Sequence, residues 1–315
     1  MLPHTTWIGI LNQHINWRIC YMNESRKWHS AKTRQLRKLS PGWLDCPVII
    51  PYYGGKVILS KTLVPLICPH SRYIEVFAGG LSMFFRKHKV KWNVLNDKDN
   101  DIVNLYMCVI EKKKELIENL FWLPKSRELF LNFREELNDN KINIPDAYRA
   151  AKYFYCIRNS FNKLIHTPFS KNKDMNKDWE IELEYSREKL GQSTIENLDF
   201  EELLEKYPPR EDDFWYLDPP YFIATDKGDY YRSNFSKEDH IRLVSCIDKM
   251  DEFGAKFMVS YDYRPEVKEY YGKYNIKTLN MTYSGATHEG RVKERKEYVI
   301  MNYEPISQVE IFKEN

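Results

Sequence analysis

A carboxylate, a rigid turn and an aromatic ring follow an apolar run in the second half of the sequence. Residues 214–217 read as a buried strand, and Asp218-Pro219-Pro220-Tyr221 comes directly after it. Proline fixes its own φ and restricts the residue before it, so the carbonyl groups of this turn point in set directions. A planar base that carries an amine could stack on Tyr221 while its NH2 group donates to the Asp218 carboxylate and the Pro219 carbonyl. The same four residues also fit a strand that ends in a proline-rich turn.

A second set of residues, further upstream, has the spacing of a nucleotide-binding site. Residues 72–76 read as a strand, Phe77-Ala78-Gly79-Gly80 as a tight turn and residues 81–85 as the start of a helix. Glycine lets the backbone approach a ligand closely. The next predicted strand, 92–96, ends at Asp97, where nucleotide-binding folds place an acidic residue that binds ribose hydroxyls. Asp97 could equally be the N-cap of the helix that follows, or serve both roles.

Five motifs, in this order along the chain, resemble those of the Dam-like, alpha-group DNA adenine N6-methyltransferases. They are Tyr52-Tyr53-Gly54-Gly55-Lys56, Phe77-Ala78-Gly79-Gly80, Asn96-Asp97, Asp199-Phe200 and Asp218-Pro219-Pro220-Tyr221. Two positions depart from the family pattern. Leu81 stands where many members have a third glycine, and Ser260-Tyr261-Asp262 replaces the more usual Ser-Asn pair.

The resemblance implies that S-adenosylmethionine is the methyl donor. No metal is expected, because the cofactor itself carries the leaving group. The residues that the resemblance assigns to the cofactor site are Tyr52, Gly54, Gly55, Lys56, Phe77, Gly79, Gly80, Asp97, Asp199, Phe200 and Asp218. Among them, Asp97 would hold the ribose, Asp199 and Phe200 the adenine, and Tyr52 and Lys56 the methionine end. The catalytic residues would be Asp218, Pro219, Pro220 and Tyr221, which orient the target amine.

A long insertion separates two of the predicted strands. Residues 97–192 lie between strand 92–96 and a strand at about 193–197, whereas a crossover needs only about a dozen residues. The insertion predicts helices over 99–120, 126–137 and 145–158, followed by a turn-rich stretch. In the resembling family this insertion is the target-recognition domain, and residues 158–162 resemble the segment that opens its DNA-contacting hairpin. We therefore predict DNA contacts at Arg158, Asn159, Ser160, Phe161, Asn162 and Lys163.

The basic residues are unevenly distributed, although the formal net charge is only +3. Residues 1–45 carry seven Lys or Arg against two acids, and residues 147–177 carry seven against Asp174 alone. Aromatic residues are interleaved with the second group, which suits phosphate contacts combined with base stacking. A helix with a solvated basic face and an aromatic core face explains the same pattern. Residues 1–45 fit either a DNA-gripping arm or a leader before an alternative start at Met22.

The elements together predict an α/β, Rossmann-like methyltransferase fold with about seven strands and an inserted helical target-recognition domain. Further helices are predicted at 200–206 and 236–250, and further strands at 256–260, 274–279 and 297–302. The predicted domains are a basic extension over 1–45, a catalytic domain over 46–110 and 193–315, and the target-recognition domain over 111–192.

The cysteines and the hydropathy indicate where the protein works. Six cysteines are scattered without a C-x-x-C pair, which is typical of free thiols in a reducing cytosol. No apolar stretch approaches the roughly 20 residues that a membrane span needs. We therefore expect a cytoplasmic protein with no membrane partner, as a monomer or weak dimer.

The predicted function is site-specific methylation of the N6 amine of a flipped adenine in double-stranded DNA. Such an enzyme could belong to a restriction-modification pair that shares its site with a restriction endonuclease, to a phage, or to no pair at all. One alternative is a methyltransferase for another planar amine, such as guanine in RNA or a cytosine amine. The other is a non-catalytic nucleic-acid-binding module. The acid at position 218 and the long insertion favour DNA adenine, and Asp97 together with Asp218 argues against a degenerate fold.

Overall fold

One mixed sheet forms the centre of the protein. The computed structural model describes residues 48–50, 56–139, 142–161, 165–170, 179–221, 235–283 and 293–305. Its strands are β1 (Arg72–Glu75), β2 (Trp92–Asn96), β3 (Thr194–Glu196), β4 (Asp213–Leu217), β5 (Lys256–Asp262), β6 (Asn275–Tyr283) and β7 (Lys293–Met301). Their order in the sheet is β3-β2-β1-β4-β5-β7-β6, and β7 runs antiparallel to both of its neighbours while the other pairs are parallel. The predicted α/β, Rossmann-like architecture is confirmed.

Helices cover both faces of the sheet. Within the described ranges they are α1 (Ser60–Leu63), α2 (Ser82–Arg86), α3 (Asn100–Glu111), α4 (Lys113–Phe121), α5 (Arg127–Glu136), α6 (Ala147–Asn159), α7 (Trp179–Leu190), α8 (Phe200–Lys206), α9 (Lys237–Glu252) and α10 (Pro265–Tyr271), with a 3-10 turn at Val64–Leu66. Side-chain caps fix several starts, as at Ser126 before α5 and Ser236 before α9. None of these helices has the length and apolar character that crossing a bilayer requires.

The helix predicted over 99–120 is two helices. Lys112 has φ −120° and ψ 27°, outside the helical region, and it separates α3 from α4. The prediction of one continuous helix was therefore wrong at this residue. The break lets each half turn its own apolar residues inward, and Val109 of α3 and Leu116 of α4 belong to the same buried cluster. Helices α7 and α10 were not predicted.

Alternate residues of the strands divide the core into two layers. Tyr73, Phe214 and Met258 belong to one buried cluster, which continues into helices α3 to α7. Their chain neighbours Ile74 and Trp215 belong to a second cluster on the other face, with α8 to α10. This is the period-two alternation of a strand that is buried on both faces. The inserted helices thus share one core with the sheet, which fixes them relative to the strand ends.

The N-terminal extension, residues 1–45, lies outside the described residues. The division of the rest into a catalytic domain and a target-recognition domain at 111–192 stays a prediction.

Candidate active site

The carboxyl ends of β1 and β2 meet at one edge of the sheet and bring the glycine turn to Asp97. The Gly79 N–H donates to Asp97 Oδ2 at 2.7 Å, and the Ala78 N–H donates to the Asn96 carbonyl at 2.7 Å. The Tyr106 hydroxyl of α3 donates to the Gly79 carbonyl at 2.6 Å. The turn and the predicted ribose-binding acid are therefore adjacent, as their spacing in the sequence requires.

The turn contains a strained residue at the position where many family members have glycine. Gly79 has φ +45°, and Leu81 has φ +52° and ψ 34°. The left-handed region costs an L-residue roughly 1–2 kcal/mol, which glycine does not pay. The Leu81 side chain is fully buried, and burying a leucine stabilises by about 1.5–3 kcal/mol. The burial offsets the strain, so the chain keeps the turn without the third glycine.

Asp97 is half-buried, and the N-cap of α3 is its neighbour Asp99 and not Asp97. Asp99 is the N-cap of α3, because its carboxylate accepts from the Asp101 N–H at 2.8 Å. Asp97 instead accepts from the Gly79 and Asp99 N–H groups. Burial, followed by the nearby charge of Asp99, raises the pKa of Asp97 to about 7. Donors from a ligand would therefore be needed to keep it fully ionised at neutral pH.

Three phenylalanine rings line the same edge beyond the turn. The Phe77 ring lies 6.1 Å from Phe200 and 6.0 Å from Phe235, and Phe200 lies 5.8 Å from Phe235, between ring centroids. The guanidinium of Arg242 covers the Phe200 ring at 4.7 Å. Such a cluster presents flat apolar surface of the kind that a purine ring stacks on. Phe235 and Arg242 were missed by the sequence analysis.

Asp199 caps α8 and lies between two cations. Its carboxylate accepts from the Glu201 N–H at 3.1 Å, from Arg242 Nη2 at 2.7 Å and from Lys98 Nζ at 3.0 Å. Asp199 also forms a capping box with Glu202. Burial alone would raise the pKa of Asp199, but the hydrogen bonds from Lys98 and Glu201 outweigh it and the pKa is lowered. Its predicted contact with a cofactor adenine stays a prediction.

Asp218 receives several donors on one oxygen. Lys56 Nζ lies 2.9 Å from Asp218 Oδ1, the Ser260 hydroxyl donates to the same oxygen at 3.2 Å, and the Tyr221 hydroxyl at 3.4 Å. The Tyr216 hydroxyl lies 2.8 Å from Ser260 Oγ and holds it in place. Asp218 is thus an oriented carboxylate at the end of β4, with only part of its side chain exposed.

The aromatic ring of this turn has a neighbour that fixes its direction. The Tyr221 ring lies 5.7 Å from the Tyr261 ring at an interplanar angle of 31°. Pro219 is buried and Pro220 half-buried beneath the same edge. The sequence predicted Tyr221 as a stacking platform but gave no signal for Tyr261 as its support.

Lys56 lies beside the carboxylate of Asp218. It was predicted near the methionine end of a cofactor, and the structure places its ammonium between Asp218, the Tyr221 hydroxyl and Glu297 of β7. Burial lowers the pKa of this lysine, but the charges of Asp218 and Glu297 outweigh burial and the pKa is raised. Lys56 is therefore a buried ammonium. Glu297 was missed, although an acid beside the apolar residues 298–301 of a strand could have drawn attention to it.

A second missed acid, Glu75, ties β1 to α2 across the glycine turn. Its Oε2 accepts from the Tyr73 hydroxyl at 2.7 Å and from the Phe84 N–H at 3.1 Å. Burial raises the pKa of Glu75 to about 8, and the charge of Asp218 adds to the effect. Glu75 is therefore a neutral carboxylic acid in the folded protein at neutral pH.

We expect a Glu75→Gln variant to gain stability relative to the parent as the pH rises. The folded parent keeps the Glu75 proton up to a pKa of about 8, whereas an ordinary glutamate releases it near a pKa of 4.5. Between these values the folded state binds more protons, so each pH unit lowers the parent's unfolding free energy by up to about 1.4 kcal/mol. Glutamine has no proton to lose. Urea unfolding at about pH 5.5 and about pH 7.5 measures the effect, and an identical difference between variant and parent at both values would contradict it.

The predicted DNA-contacting residues differ widely in exposure. Arg158 donates to the Ile49 carbonyl at 3.0 Å and pairs with Glu182 of α7, and its guanidinium is only 9% exposed. Asn159 and Ser160 are fully buried, whereas the Phe161 side chain is 62% exposed. The Phe161 N–H donates to the Pro168 carbonyl at 2.8 Å, which closes a turn at the end of α6. Of this group, Phe161 is the described residue that faces outward.

Some predicted site residues lie outside the described ranges. They are Tyr52, Gly54 and Gly55 of the proposed cofactor site and Asn162 and Lys163 of the proposed DNA segment.

The sequence comparison decides the family. Residues 52–284 match the family described as D12 class N6 adenine-specific DNA methyltransferase. The chain belongs to this family. The match spans the glycine turn, Asp97 and Asp218, and it includes the whole inserted segment. The resemblance inferred from the five motifs is confirmed.

Named relatives agree with the family. The chain is 28% identical over 251 residues to the type II methyltransferase M1.LlaDCHI of Lactococcus lactis subsp. cremoris, covering 74% of this chain and 87% of the relative. It is 27% identical to the type II methyltransferase M.MjaIII of Methanocaldococcus jannaschii, covering 66% of this chain and 80% of the relative. It is 26% identical to the DNA N-6-adenine-methyltransferase of Escherichia phage P1, covering 86% of this chain but 36% of that longer relative.

Membership of this family identifies the class of reaction that the protein catalyses. This D12-class protein is an adenine-specific DNA methyltransferase of a family that uses S-adenosylmethionine. The predicted enzyme class is confirmed, and neither the alternative of guanine in RNA nor that of a non-catalytic module is favoured by the match.

Proposed function

We propose that Asp218 and the Pro219 carbonyl accept the two hydrogens of the target adenine's exocyclic amine while the base stacks on Tyr221. The observation that carries this proposal is that three donors converge on Asp218 Oδ1. The distances to this oxygen are 2.9 Å from Lys56 Nζ, 3.2 Å from Ser260 Oγ and 3.4 Å from the Tyr221 hydroxyl. An oxygen that several donors approach in a partly enclosed site is oriented to accept hydrogen bonds. An amine conjugated to a purine is a poor nucleophile, and drawing its hydrogens onto acceptors directs the nitrogen lone pair outward.

The residues at the strand ends also fit S-adenosylmethionine. Asp97 would bind the ribose hydroxyls, and hydrogen bonds from them would stabilise its charged form, which burial disfavours. The rings of Phe77 and Phe200 would bind the adenine. The backbone of the turn at Gly79 and Gly80 would line the cofactor. When bound, this group supplies an electrophilic methyl on a sulfonium. The chain's own contribution is to orient the amine, because positioning alone is worth up to about 7–11 kcal/mol in favourable cases.

The target base would be extruded from a duplex before it reaches Asp218. Extrusion costs a few kcal/mol, which stacking on Tyr221 partly offsets. The experiment that tests the assignment is methylation of a plasmid in cells that express the chain, followed by nucleoside mass spectrometry and long-read mapping. We expect N6-methyladenine at one short sequence. A plasmid that carries N4-methylcytosine, or no new methylated base, would overturn it.

We also propose that the D12-class protein can share its DNA site with a restriction endonuclease. Two of the relatives named above are type II methyltransferases, and a further one, from Streptococcus sanguinis, is named modification methylase StsI. DNA from expressing cells would then resist an endonuclease that cuts at the mapped sequence. Full cutting of that DNA by every endonuclease with this specificity would count against a modification role.

The proposed DNA contact is the turn that carries Phe161. Buried contacts hold the residues that precede the turn, because the Ser170 N–H donates to the Asn159 carbonyl at 2.7 Å and Arg158 pairs with Glu182. An exposed ring on a braced turn can stack on or wedge between bases. In this arrangement Arg158 and Asn159 support the turn from inside, and a direct DNA contact by either stays a prediction.

We expect Phe161→Ala to weaken binding of a duplex that contains the mapped site and to leave cofactor binding unchanged. Loss of one base–aromatic stack costs about 1–3 kcal/mol, or roughly 5-fold to 150-fold in affinity. The matched control is Phe253→Ala, which removes a ring of similar exposure, 58% against 62%, at the end of α9. Fluorescence anisotropy with a labelled duplex measures both. Equal affinities of the two variants would remove Phe161 from the DNA interface.

A further inference from the structure

Glu297 is the last charged residue of β7 and stands directly before the apolar residues 298–301. It pairs with Asp262 of β5 in antiparallel register, and Val299, two residues on, belongs to the core that also holds Phe214. Since alternate residues of a strand share a face, Glu297 lies on the same face as Asp218. Its side chain is only 9% exposed. A carboxylate in such a position needs a partner, because burying an uncompensated charge is costly.

The partner is Lys56, which Glu297 shares with the catalytic carboxylate. Lys56 Nζ lies 2.9 Å from Asp218 Oδ1 and 3.8 Å from Glu297 Oε2. The first distance is a hydrogen bond, and the second is an ion pair at longer range. Lys56 is 3% exposed, so its ammonium can pair with either of two carboxylates in a site that is nearly closed to water.

The Lys56 ammonium and a target amine would both use the Asp218 carboxylate, and Glu297 offers the ammonium a second partner. Asp218 Oδ1 already receives Lys56, Ser260 and Tyr221. While the Lys56 ammonium stays on this carboxylate, its positive charge makes both oxygens weaker acceptors for a target amine. If Lys56 simply left Asp218, a buried ammonium would lose its main partner. A short shift toward Glu297 keeps the ammonium paired and frees a lone pair on Asp218. No covalent bond changes in this exchange.

We propose that Glu297 is a positioning residue, which holds the Lys56 ammonium while Asp218 accepts the target amine. The inference rests on the proposed role of Asp218 and adds a residue that acts through Lys56. It predicts that neutralising Glu297 leaves Lys56 bound to Asp218, so the amine is admitted less readily even though every group that touches the substrate is intact.

The first test compares Glu297→Gln with Glu304→Gln. Glutamine keeps the shape of the side chain and removes its charge. Glu304 lies in the same C-terminal segment but is 79% exposed and pairs with Lys277 at 3.3 Å. We expect the single-turnover methylation rate of Glu297→Gln to fall by about tenfold or more, the effect of one hydrogen bond to a charged group, and that of Glu304→Gln to equal the parent's. An unchanged rate in Glu297→Gln overturns the proposal.

The second test measures the amine directly, without turnover. Duplexes that carry either adenine or purine, which lacks the 6-amine, at the target position are bound in the presence of S-adenosylhomocysteine. Purine is also easier to extrude, because it pairs less strongly with thymine, so the quantity compared is the ratio of adenine to purine affinity. We expect this ratio to be lower in Glu297→Gln than in the parent, while the affinity for the purine duplex is unchanged. Equal preference in the parent and the variant overturns the proposal.

The third test separates positioning from a structural role. If Glu297 acts through Lys56, then Glu297→Gln should change the adenine preference by less than about twofold in a Lys56→Met background, because the two effects are not additive. Full additivity would show that Glu297 acts independently. Should Glu297→Gln fail to fold alone, the double variant removes both the buried ammonium and the Glu297 charge. It leaves the partly exposed Asp218 carboxylate with Ser260 and Tyr221 as donors, and it is expected to fold. A double variant that is as unfolded as the single one contradicts the coupling.

Failure of this inference is distinct from failure of the proposed function. If the parent methylates adenine and Glu297→Gln matches it in every test, then only the role of Glu297 falls. A parent that does not methylate adenine removes the role of Asp218 itself.

Discussion

We expect Asp218→Ala to abolish detectable methyl transfer to DNA in this D12-class enzyme. The target amine would lose its charged acceptor, and a group that stabilises charge developing in a transition state is worth about 10²- to 10³-fold in rate. The alanine also removes the close carboxylate partner of Lys56, which would then rely on Glu297. Transfer of a labelled methyl group under single-turnover conditions measures the loss.

A matched control comes from the other end of the same strand. Asp212→Ala removes an exposed carboxylate that accepts from the Ser71 hydroxyl, just before β4 begins. We expect its rate to equal the parent's. Asp218→Asn should fall between the two, because an amide oxygen still accepts a hydrogen bond but carries no charge. Turnover by Asp218→Ala at the parent's rate would mean that the amine is bound elsewhere.

The strands that build this site could be predicted because each carries its own local signal. The apolar run of β4 ends at Leu217, just before two prolines that cannot continue a ladder, and β1 ends at Glu75, shortly before the glycine turn. Their order could not be predicted in the same way. That β7 inserts between β5 and β6 depends on which strands pair, and hydrophobic periodicity does not encode neighbours. Here the resemblance to a known family supplied the architecture.

The charge count over residues 147–177 illustrates a different limit. It suggested a basic surface, yet the structure pairs Arg149 with Asp101, Lys152 with Glu136, and Arg158 with Glu182. Each acid comes from a helix outside the counted window. A buried cation attracts a partner from whichever element the fold brings near, so net charge within a window does not measure net charge on a surface. The other four basic residues of this window lie outside the described ranges.

The cluster of Lys56, Asp218 and Glu297 shows the same limit at the candidate site. Lys56 could be assigned to a motif, but its partners Asp218 and Glu297 are far along the chain and on two strands that are not neighbours. Sequence spacing predicts contacts within a turn or a helix. Sequence spacing does not predict a contact between a loop side chain and residues on the face of a sheet. Glu297 therefore became visible only once the strands were paired.

We expect Asp97→Ala to weaken S-adenosylmethionine binding by about 10²-fold or more while DNA binding is unchanged. The proposed ribose contact consists of hydrogen bonds to a carboxylate, each worth about 1.5–3 kcal/mol. The variant also loses the acceptor of the Gly79 N–H. Asp99→Ala is the matched control, since it removes the neighbouring acid and N-cap of α3. That change should cost about 1 kcal/mol of stability but leave cofactor affinity intact at about pH 8, where Asp97 is ionised with or without the charge of Asp99.

The pH dependence of the same affinity gives the sharper test. Without ligand the pKa of Asp97 is about 7, and ribose hydroxyl donors favour its charged form, so binding should lower this pKa. Affinity for the cofactor should therefore be constant above pH 7 and fall by up to about tenfold per unit below it. Asp97→Asn cannot titrate and should bind weakly at every pH. Calorimetry between about pH 5.5 and about pH 8 measures both curves. If Asp97→Asn and the parent lost affinity in parallel on acidification, another group would be titrating and the ribose site would lie elsewhere.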